Sequence, residues 1–432
     1  MTTMITGVRA FDVRFPTSRQ LDGSDAMNPD PDYSAAYCIV DTSDDGLHGH
    51  GLAFTLGRGT ELCVHAIEAL APKLVGRSLD GIANDLRGFW RSMVADTQLR
   101  WLGPEKGITH MATAALVNAV WDLLAKRAGQ PLWRYLAAMS PDQIVSAIDF
   151  RHISDALTPA EALGILRGRL ADKAARLEGL QRDGHVAYTT SAGWLGYTDD
   201  KIRELCRAAV AEGWTGVKMK VGGSLIDDIR RAAILREILG PDRLLMTDAN
   251  QVWEVEQAIE WVGALRSVDP YWIEEPVSPD DILGHARVRQ SVKPVRVATG
   301  EHCHNRIMFK QFLQADAIDV VQVDACRLGG MNEVLAVLLL AAKFDKPVCP
   351  HAGGVGLCEY VQHISFFDAA CVASGPDGRM IEHAAHLHEH FVDPIRVAGG
   401  RYLAPEKPGF SVELKPESRT EYAFPNGPVW RS

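Results

Sequence analysis

Ionisable side chains in the second half of this sequence recur at a rhythm that chemistry could use: Lys218 and Lys220, Asp248, Glu274, Glu301, Asp324, His351 and Glu382. Seven short apolar runs end in one of them, over Val217–Lys220, Leu244–Asp248, Tyr271–Glu274, Val295–Glu301, Val320–Asp324, Val348–His351 and Met380–Glu382, with Lys218 inside the first. Asp248, Glu274 and Glu301 offer three hard oxygen ligands, the set that suits Mg²⁺. Zinc would favour His or Cys, and only His302, Cys303 and His304 stand near the third ligand. Glu275 follows Glu274 directly, and strand alternation does not choose between them without the register. Lys218 and Lys220 lie two apart on one strand and so point to the same side. Two ammonium groups on one face lower each other's pKa, which makes one a usable base; the other reading is a pair bound to Asp248 and Glu301 across a barrel. Asp324 and His351 close consecutive runs. A carboxylate on one ring nitrogen fixes the tautomer and stabilises the imidazolium; the bland alternative is a buried histidine satisfied by a carbonyl. A carbon-bound proton beside a carboxylate is very weakly acidic, so its removal needs a base and stabilisation of the charge that develops on the carboxylate oxygens. A bound Mg²⁺ with a Lys base and a His–Asp dyad supplies both.

These side chains need elements to bring them together. Residues at the C-terminal ends of barrel strands face the mouth where barrel enzymes place their chemistry. Successive ends fall roughly 23 to 31 residues apart with helical segments between, the length of one strand–helix unit in a (β/α)₈ barrel. The pattern predicts an α/β fold with a barrel beginning near residue 145. Residues 152–195 read as an insertion with one helix. Residues 386–432, rich in Pro and Gly, read as a return to the first domain. The first third reads as α+β, with strands over 4–14 and 36–41 and helices over Leu62–Val75, Ile82–Val94 and Ile108–Ala128. Between the two strands runs a polar stretch containing Asp22-Gly23-Ser24-Asp25 and Asn28 to Tyr33. Loops that long are more often functional than not.

The bulk properties narrow the classes. A chain of 432 residues, 47% apolar and 23% charged, exceeds one ordinary core and carries no signature of disorder. Its net charge of -10 argues against nucleic-acid and anionic-membrane partners. The 8 cysteines are scattered with no C-x-x-C pair, so neither a zinc knuckle nor a disulfide framework is expected. Arg9, Asp12 and Arg14 interrupt the N-terminal apolar residues, so no signal peptide is expected, and no apolar run is expected to reach spanning length. The expectation is a cytoplasmic homo-oligomer acting on a small molecule.

The strand-end residues resemble those of the mandelate racemase branch of the enolase superfamily, with its Lys-x-Lys motif, Asp/Glu/Glu metal ligands and His–Asp dyad. Over nearly its full length the chain is similar to the L-fuconate dehydratase family. The matching stretches are Asp12–Thr17, Ser24–Tyr37, Gln98–Gly107, Tyr188–Tyr197, Trp272–His285, Asn305–Leu313, Val348–Leu357 and His386–Phe391. Of these, the Asn28–Tyr33 and Trp101–Gly107 segments are specific to the subgroup.

The resemblance implies a modified TIM barrel, (β/α)₇β, over residues 145–385. It implies an α+β capping domain of residues 1–144 completed by the tail 386–432. It assigns Mg²⁺ to Asp248, Glu274 and Glu301, the C2 base to Lys220 and a carboxylate-facing partner to Lys218. It makes His351, backed by Asp324, the acid for the C3 hydroxyl, and sets Glu382 at the enediolate oxygen. Gly23, Ser24, Asp25 and Tyr33 would read the distal sugar. The implied reaction is dehydration of L-fuconate to 2-keto-3-deoxy-L-fuconate; another acid-sugar dehydratase, a racemase and a non-catalytic barrel are the competing readings. Retention of Lys220, Asp248, Glu274, Glu301 and His351 argues against the last. Val252 and Ala385 stand where the family carries Arg and Asp, and these departures bear on the fine sugar preference.

Overall fold

Alternating apolar residues over Ile5–Arg14 and Ser34–Thr42 form strands β1 and β2, and His48–Thr55 adds β3. The three make an antiparallel sheet in the order β1-β2-β3. The computed structural model describes residues 2–103 and 105–431; Met1, Ser432 and Pro104, the last inside the Trp101–Gly107 stretch, lie outside the described residues. Glycines interrupt the alternation of β3, which is why periodicity missed it. A Cβ on Gly49 or Gly51 would run into the carbonyl oxygens of Ala119 and Ala115. Their bare backbone lets a helix lie directly on the sheet.

That helix is α4, Gly107–Arg127, which follows α1 (Thr60–Leu70), α2 (Leu79–Asn84) and α3 (Leu86–Val94). The single helix expected over Ile82–Val94 is broken at Asp85, whose carboxylate accepts from Gly88 N at 2.8 Å and caps α3. With 21 residues and a mean hydropathy of 1.3, α4 is long and apolar enough to cross a membrane, contrary to the expectation that no run is. Its composition has a local cause: 89% of that window is buried inside the protein.

Helices α5 (Leu132–Ala138), α6 (Pro141–Ser146), α7 (Pro159–Gly168) and α8 (Lys173–Asp183) lead into the barrel. Its first strand, β4, is His185–Gly193, inside the stretch read as an insertion with one helix. The strand carries no ionisable residue at its C-terminal end, so the rhythm of charged ends passed over it. Then come β5 (Gly216–Lys220), β6 (Leu244–Asp248), β7 (Trp272–Glu274), β8 (Arg296–Thr299) and β9 (Val320–Val321), each parallel to the one before. An irregular segment follows, with Cys349 N donating to Val321 O at 2.9 Å and His351 N to Val323 O at 3.0 Å. Strand β10, Ile381–His383, pairs in parallel with β4.

The helices between are α9 (Asp199–Ala211), α10 (Leu225–Leu239), α11 (Val255–Ala264), α12 (Ile282–Val292), α13 (Arg306–Gln314), α14 (Met331–Lys343) and α15 (Leu357–Phe367). Among the described residues this is a (β/α)₇β barrel under an N-terminal capping domain. One inward layer is apolar, built by Tyr188, Met246, Trp272, Ala298, Val320, Cys349 and Met380. Strand alternation carries Asp248, Glu274, Glu382 and their neighbours one step nearer the mouth.

Polar anchors fasten cap to barrel. Trp90 Nε1 donates to Gly329 O at 2.7 Å, Trp121 Nε1 to Asn332 Oδ1 at 2.8 Å and Asn118 Nδ2 to Ala325 O at 2.9 Å. The C-terminal tail divides its contacts. Arg14 N donates to Tyr422 O and Phe424 N to Asp12 O, both at 3.0 Å, while Arg401 and Tyr402 pair with β4 of the barrel.

Candidate active site and metal centre

The barrel register sends the two neighbouring glutamates in different directions. Trp272 and Glu274 share the inward face of β7, and Glu275 turns aside at φ 41°. Both Glu275 oxygens accept from Gln251 Nε2 at 3.0 Å, and one also accepts from His302 Nδ1 at 2.9 Å. Glu274 instead faces Lys218, whose Nζ lies 2.7 Å from Glu274 Oε1, 2.7 Å from Glu382 Oε1 and 3.3 Å from Asp248 Oδ2. Lys220 Nζ donates to Asp248 Oδ2 at 2.6 Å.

On the opposite flank, His351 Nδ1–H donates to Asp324 Oδ2 at 2.7 Å, and its Nε2 stands 3.6 Å from Glu301 Oε2. Asp324 is itself held by the backbone N–H groups of Cys326 at 2.7 Å and Arg327 at 2.8 Å. The Asp–His pair is a true hydrogen bond, so the bland reading of His351 as a carbonyl-satisfied core residue does not hold. Glu382 Oε2 accepts from Ala352 N at 2.8 Å, which joins the last strand to the His351 segment.

Buried carboxylates outnumber the ammonium groups here, and the proton affinities follow. Burial and the neighbouring Asp248 push Glu274 well above the usual carboxylate range. Burial also raises Glu301, helped by Glu275. Asp248 goes the other way: burial opposes ionisation, but Lys220 and Lys218 together drive it down. The two lysines were expected to depress each other. Instead both are raised, because the attraction of Asp248 for Lys220, and of Glu274 and Glu382 for Lys218, outweighs both burial and mutual repulsion. His351 is raised to about 10; burial alone would lower it, but Glu301, Asp324 and Glu382 hold the imidazolium.

A metal fits this set. One carboxylate oxygen from each of Asp248, Glu274 and Glu301 lies within 4.8 Å of the others, and Glu301 Oε2 is buried with no hydrogen-bond partner. Excess negative charge with an orphaned acceptor is what a divalent cation relieves. A second group, Glu275, Glu301 and His302, shares Glu301, but there Gln251 and His302 already donate to Glu275.

A cavity of about 500 Å³ opens over these groups, and Lys218, Lys220, Glu301, Asp324, His351 and Glu382 line it. From the cap loop, Gly23, Asp25 and Tyr33 reach the same cavity. Gly23, at φ 85°, packs so close to the Tyr33 hydroxyl that a Cβ there would collide with it. Asp25 Oδ1 accepts from Met27 N and Asn28 N, each at 2.7 Å, which shapes the loop around it. Ser24 differs from expectation. It does not line the cavity; its Oγ accepts from Gly196 N at 2.9 Å and its carbonyl from Leu195 N at 3.1 Å, pinning the loop to the barrel.

Matches to known proteins agree with this architecture. Residues 30–137 match the N-terminal domain of mandelate racemase / muconate lactonizing enzyme, and residues 201–418 match the Enolase C-terminal domain-like family. The chain belongs to the enolase superfamily. Within that superfamily it is 52% identical to the L-galactonate dehydratase of Hypocrea jecorina, over 98% of this chain and 94% of that protein. It is similar to the crystal structure of human Mitochondrial enolase superfamily member 1, with a TM-score of 0.98, 50% identity and coverage of 100% and 98% of the two chains. The L-talarate/galactarate dehydratase of Salmonella typhimurium LT2, liganded with Mg and L-lyxarohydroxamate, superposes with a TM-score of 0.76 at 25% identity, covering 98% and 93%.

Sequence reasoning missed several cavity residues. Thr190 lies on the unrecognised β4; Trp194 follows it; Asn250 and Arg327 lie just past Asp248 and Asp324; Arg58 and Met111 come from the cap. Thr190 Oγ1 and Asn250 Oδ1 are buried and unpartnered. The available signal was proximity: Asn250 and Arg327 sit two and three residues beyond recognised strand ends.

Proposed function

We propose that this protein is a Mg²⁺-dependent acid-sugar dehydratase, working through a capping domain set over the barrel. The observation that carries the reading is the flanking of one carboxylate trio by two different proton carriers in a single cavity: Lys220 on Asp248, and His351 beside Glu301. A divalent cation held by Asp248, Glu274 and Glu301 would supply Lewis-acid stabilisation of charge on the substrate carboxylate and relieve Lys220 of the Asp248 charge that keeps it protonated.

The protein's own groups then divide the work. Lys220 Nζ takes the C2 proton. The C3–O bond breaks as His351 Nε2 donates a proton, so the hydroxyl leaves as water. Asp324 holds Nδ1–H and therefore aims Nε2 at the cavity. Lys218, clamped between Glu274 and Glu382, places a fixed positive charge where the substrate carboxylate would sit. The enol left behind tautomerises to a 2-keto-3-deoxy acid.

Within that class we propose L-fuconate as the preferred substrate. L-fuconate is L-galactonate without the C6 hydroxyl, so one constellation can read C2 to C5 of both. The cap side of the cavity carries Met27, Phe54, Leu56 and Ile108, an apolar wall suited to a terminal methyl. Asp25 and Tyr33 supply polar groups for the hydroxyls between.

The test separates the two proton carriers. Lys220→Ala should lose both dehydration and C2 exchange in D₂O, by roughly 10²- to 10⁴-fold or more. His351→Asn should lose dehydration while retaining C2 exchange through Lys220. Exchange that survives in Lys220→Ala but disappears in His351→Asn would reverse the assignment.

A further inference from the structure

The inward layer of small and medium apolar side chains beneath the site contains one indole. Trp272 is fully buried, its ring edge-on to Tyr188 at 5.3 Å between centroids. A buried indole N–H needs an acceptor. The one it has is two residues along its own strand: Trp272 Nε1 donates to Glu274 Oε2 at 3.2 Å. The other oxygen, Oε1, accepts from Lys218 Nζ at 2.7 Å. Glu274 is thus held at both oxygens by donors of different kinds, one charged and one neutral.

We infer that Trp272 is a positioning residue for the metal centre, fixing the plane of the Glu274 carboxylate. The inference rests on the Mg²⁺ reading of that site. A carboxylate oxygen has two acceptor directions, so a single N–H on Oε2 leaves the other free for a cation. An ammonium in the same place would add positive charge against the ion; the indole orients without doing so. Strand geometry favours the contact, because residues i and i+2 share a face and Glu274 cannot rotate away from Lys218 without giving up its ion pair. Outer partners of metal ligands typically carry 10- to 100-fold in metal affinity.

The competing role for Trp272 is volume alone, filling the barrel beside Tyr188. Two variants separate them: Trp272→Phe, and replacement of Trp272 by 3-benzothienylalanine, which keeps the bicyclic shape and swaps the N–H for sulfur. Mg²⁺ affinity is measured by calorimetry on the substrate-free protein, with thermal midpoints recorded in EDTA. The expected result is about 10- to 100-fold weaker Mg²⁺ binding in the benzothienyl variant with an unchanged midpoint in EDTA. If Trp272→Phe fails to fold, the benzothienyl variant still decides the question. Parent-like Mg²⁺ affinity in that variant overturns the role of the indole N–H and leaves the metal centre standing. A parent protein that binds no Mg²⁺ overturns the metal centre and this inference together.

Discussion

Two buried ionic clusters in this molecule are built from similar side chains and have opposite characters. At the joint between cap and barrel, Glu333 accepts from His110 Nε2 and Gly329 N at 2.7 Å each, from Arg306 Nη1 at 2.9 Å and from Arg306 N at 3.0 Å. Every acceptor direction of that carboxylate is used. Burial alone would raise its pKa, yet His110, Arg306 and the backbone donors bring it to about 2. At the barrel mouth, Lys218 is shared by Asp248, Glu274 and Glu382, and Glu301 keeps an oxygen with no donor. One carboxyl is driven down and another well up within the same group. Charge balance, more than burial or residue type, separates the cluster that fastens the fold from the one that can hold an ion and do chemistry.

Matched substitutions should break this comparison if it is wrong. Glu333→Gln should cost about 3–5 kcal/mol in urea denaturation, because it leaves Arg306 buried with a lost partner, while Mg²⁺ affinity stays parental. Glu274→Gln should weaken Mg²⁺ binding by at least ~100-fold yet leave stability in EDTA equal to or above that of the parent, since it removes charge from an overcrowded group. The distinction collapses if both variants are destabilised alike, or if Glu333→Gln loses the ion.

Acid sharpens the contrast. The folded pKa of Glu333 lies below its ordinary carboxylate value, so its contribution is fully present at neutral pH. It is lost as pH falls from the usual carboxylate range through about 2. The gap in stability between parent and Glu333→Gln should therefore shrink by something on the order of 3 kcal/mol between neutral pH and the acid limit. A gap independent of pH would mean the carboxylate charge is not what stabilises the joint.

The smallest effect lies at the mouth, between its charged floor and its cap wall. A methyl against an apolar surface is worth about 1–3 kcal/mol, so kcat/KM for L-fuconate should exceed that for L-galactonate by roughly 10- to 200-fold. Asp25→Ala should lower both values by about 5-fold, as expected for one hydrogen bond, while C2 exchange at saturation survives. Equal rates on the two acids would place sugar selection elsewhere, and loss of exchange in Asp25→Ala would tie the loop to the chemistry itself.

What the sequence determined by itself was the set of ionisable residues that gather at the barrel mouth. Lys218, Lys220, Asp248, Glu274, Glu301, Asp324, His351 and Glu382 were legible because a barrel repeats one unit, and each of these units ends in an ionisable residue at the mouth. A unit without that mark was not legible: β4 ends in Ser191-Ala192-Gly193, so Thr190 went unseen with it. Strand β3 was hidden because its glycines answer to the approach of α4, a demand made by a distant part of the chain. Spacing alone left Glu274 and Glu275 open, because a period of two assigns faces only after the register is known; the resemblance named Glu274, and the tertiary structure shows that it is the one on the inward face of β7. Only the tertiary structure decided the sign of the lysine shifts. Spacing counts the two ammonium groups on one strand, whereas proton affinity depends on all the charges within a few ångströms, and those carboxylates arrive from β6, β7 and β10.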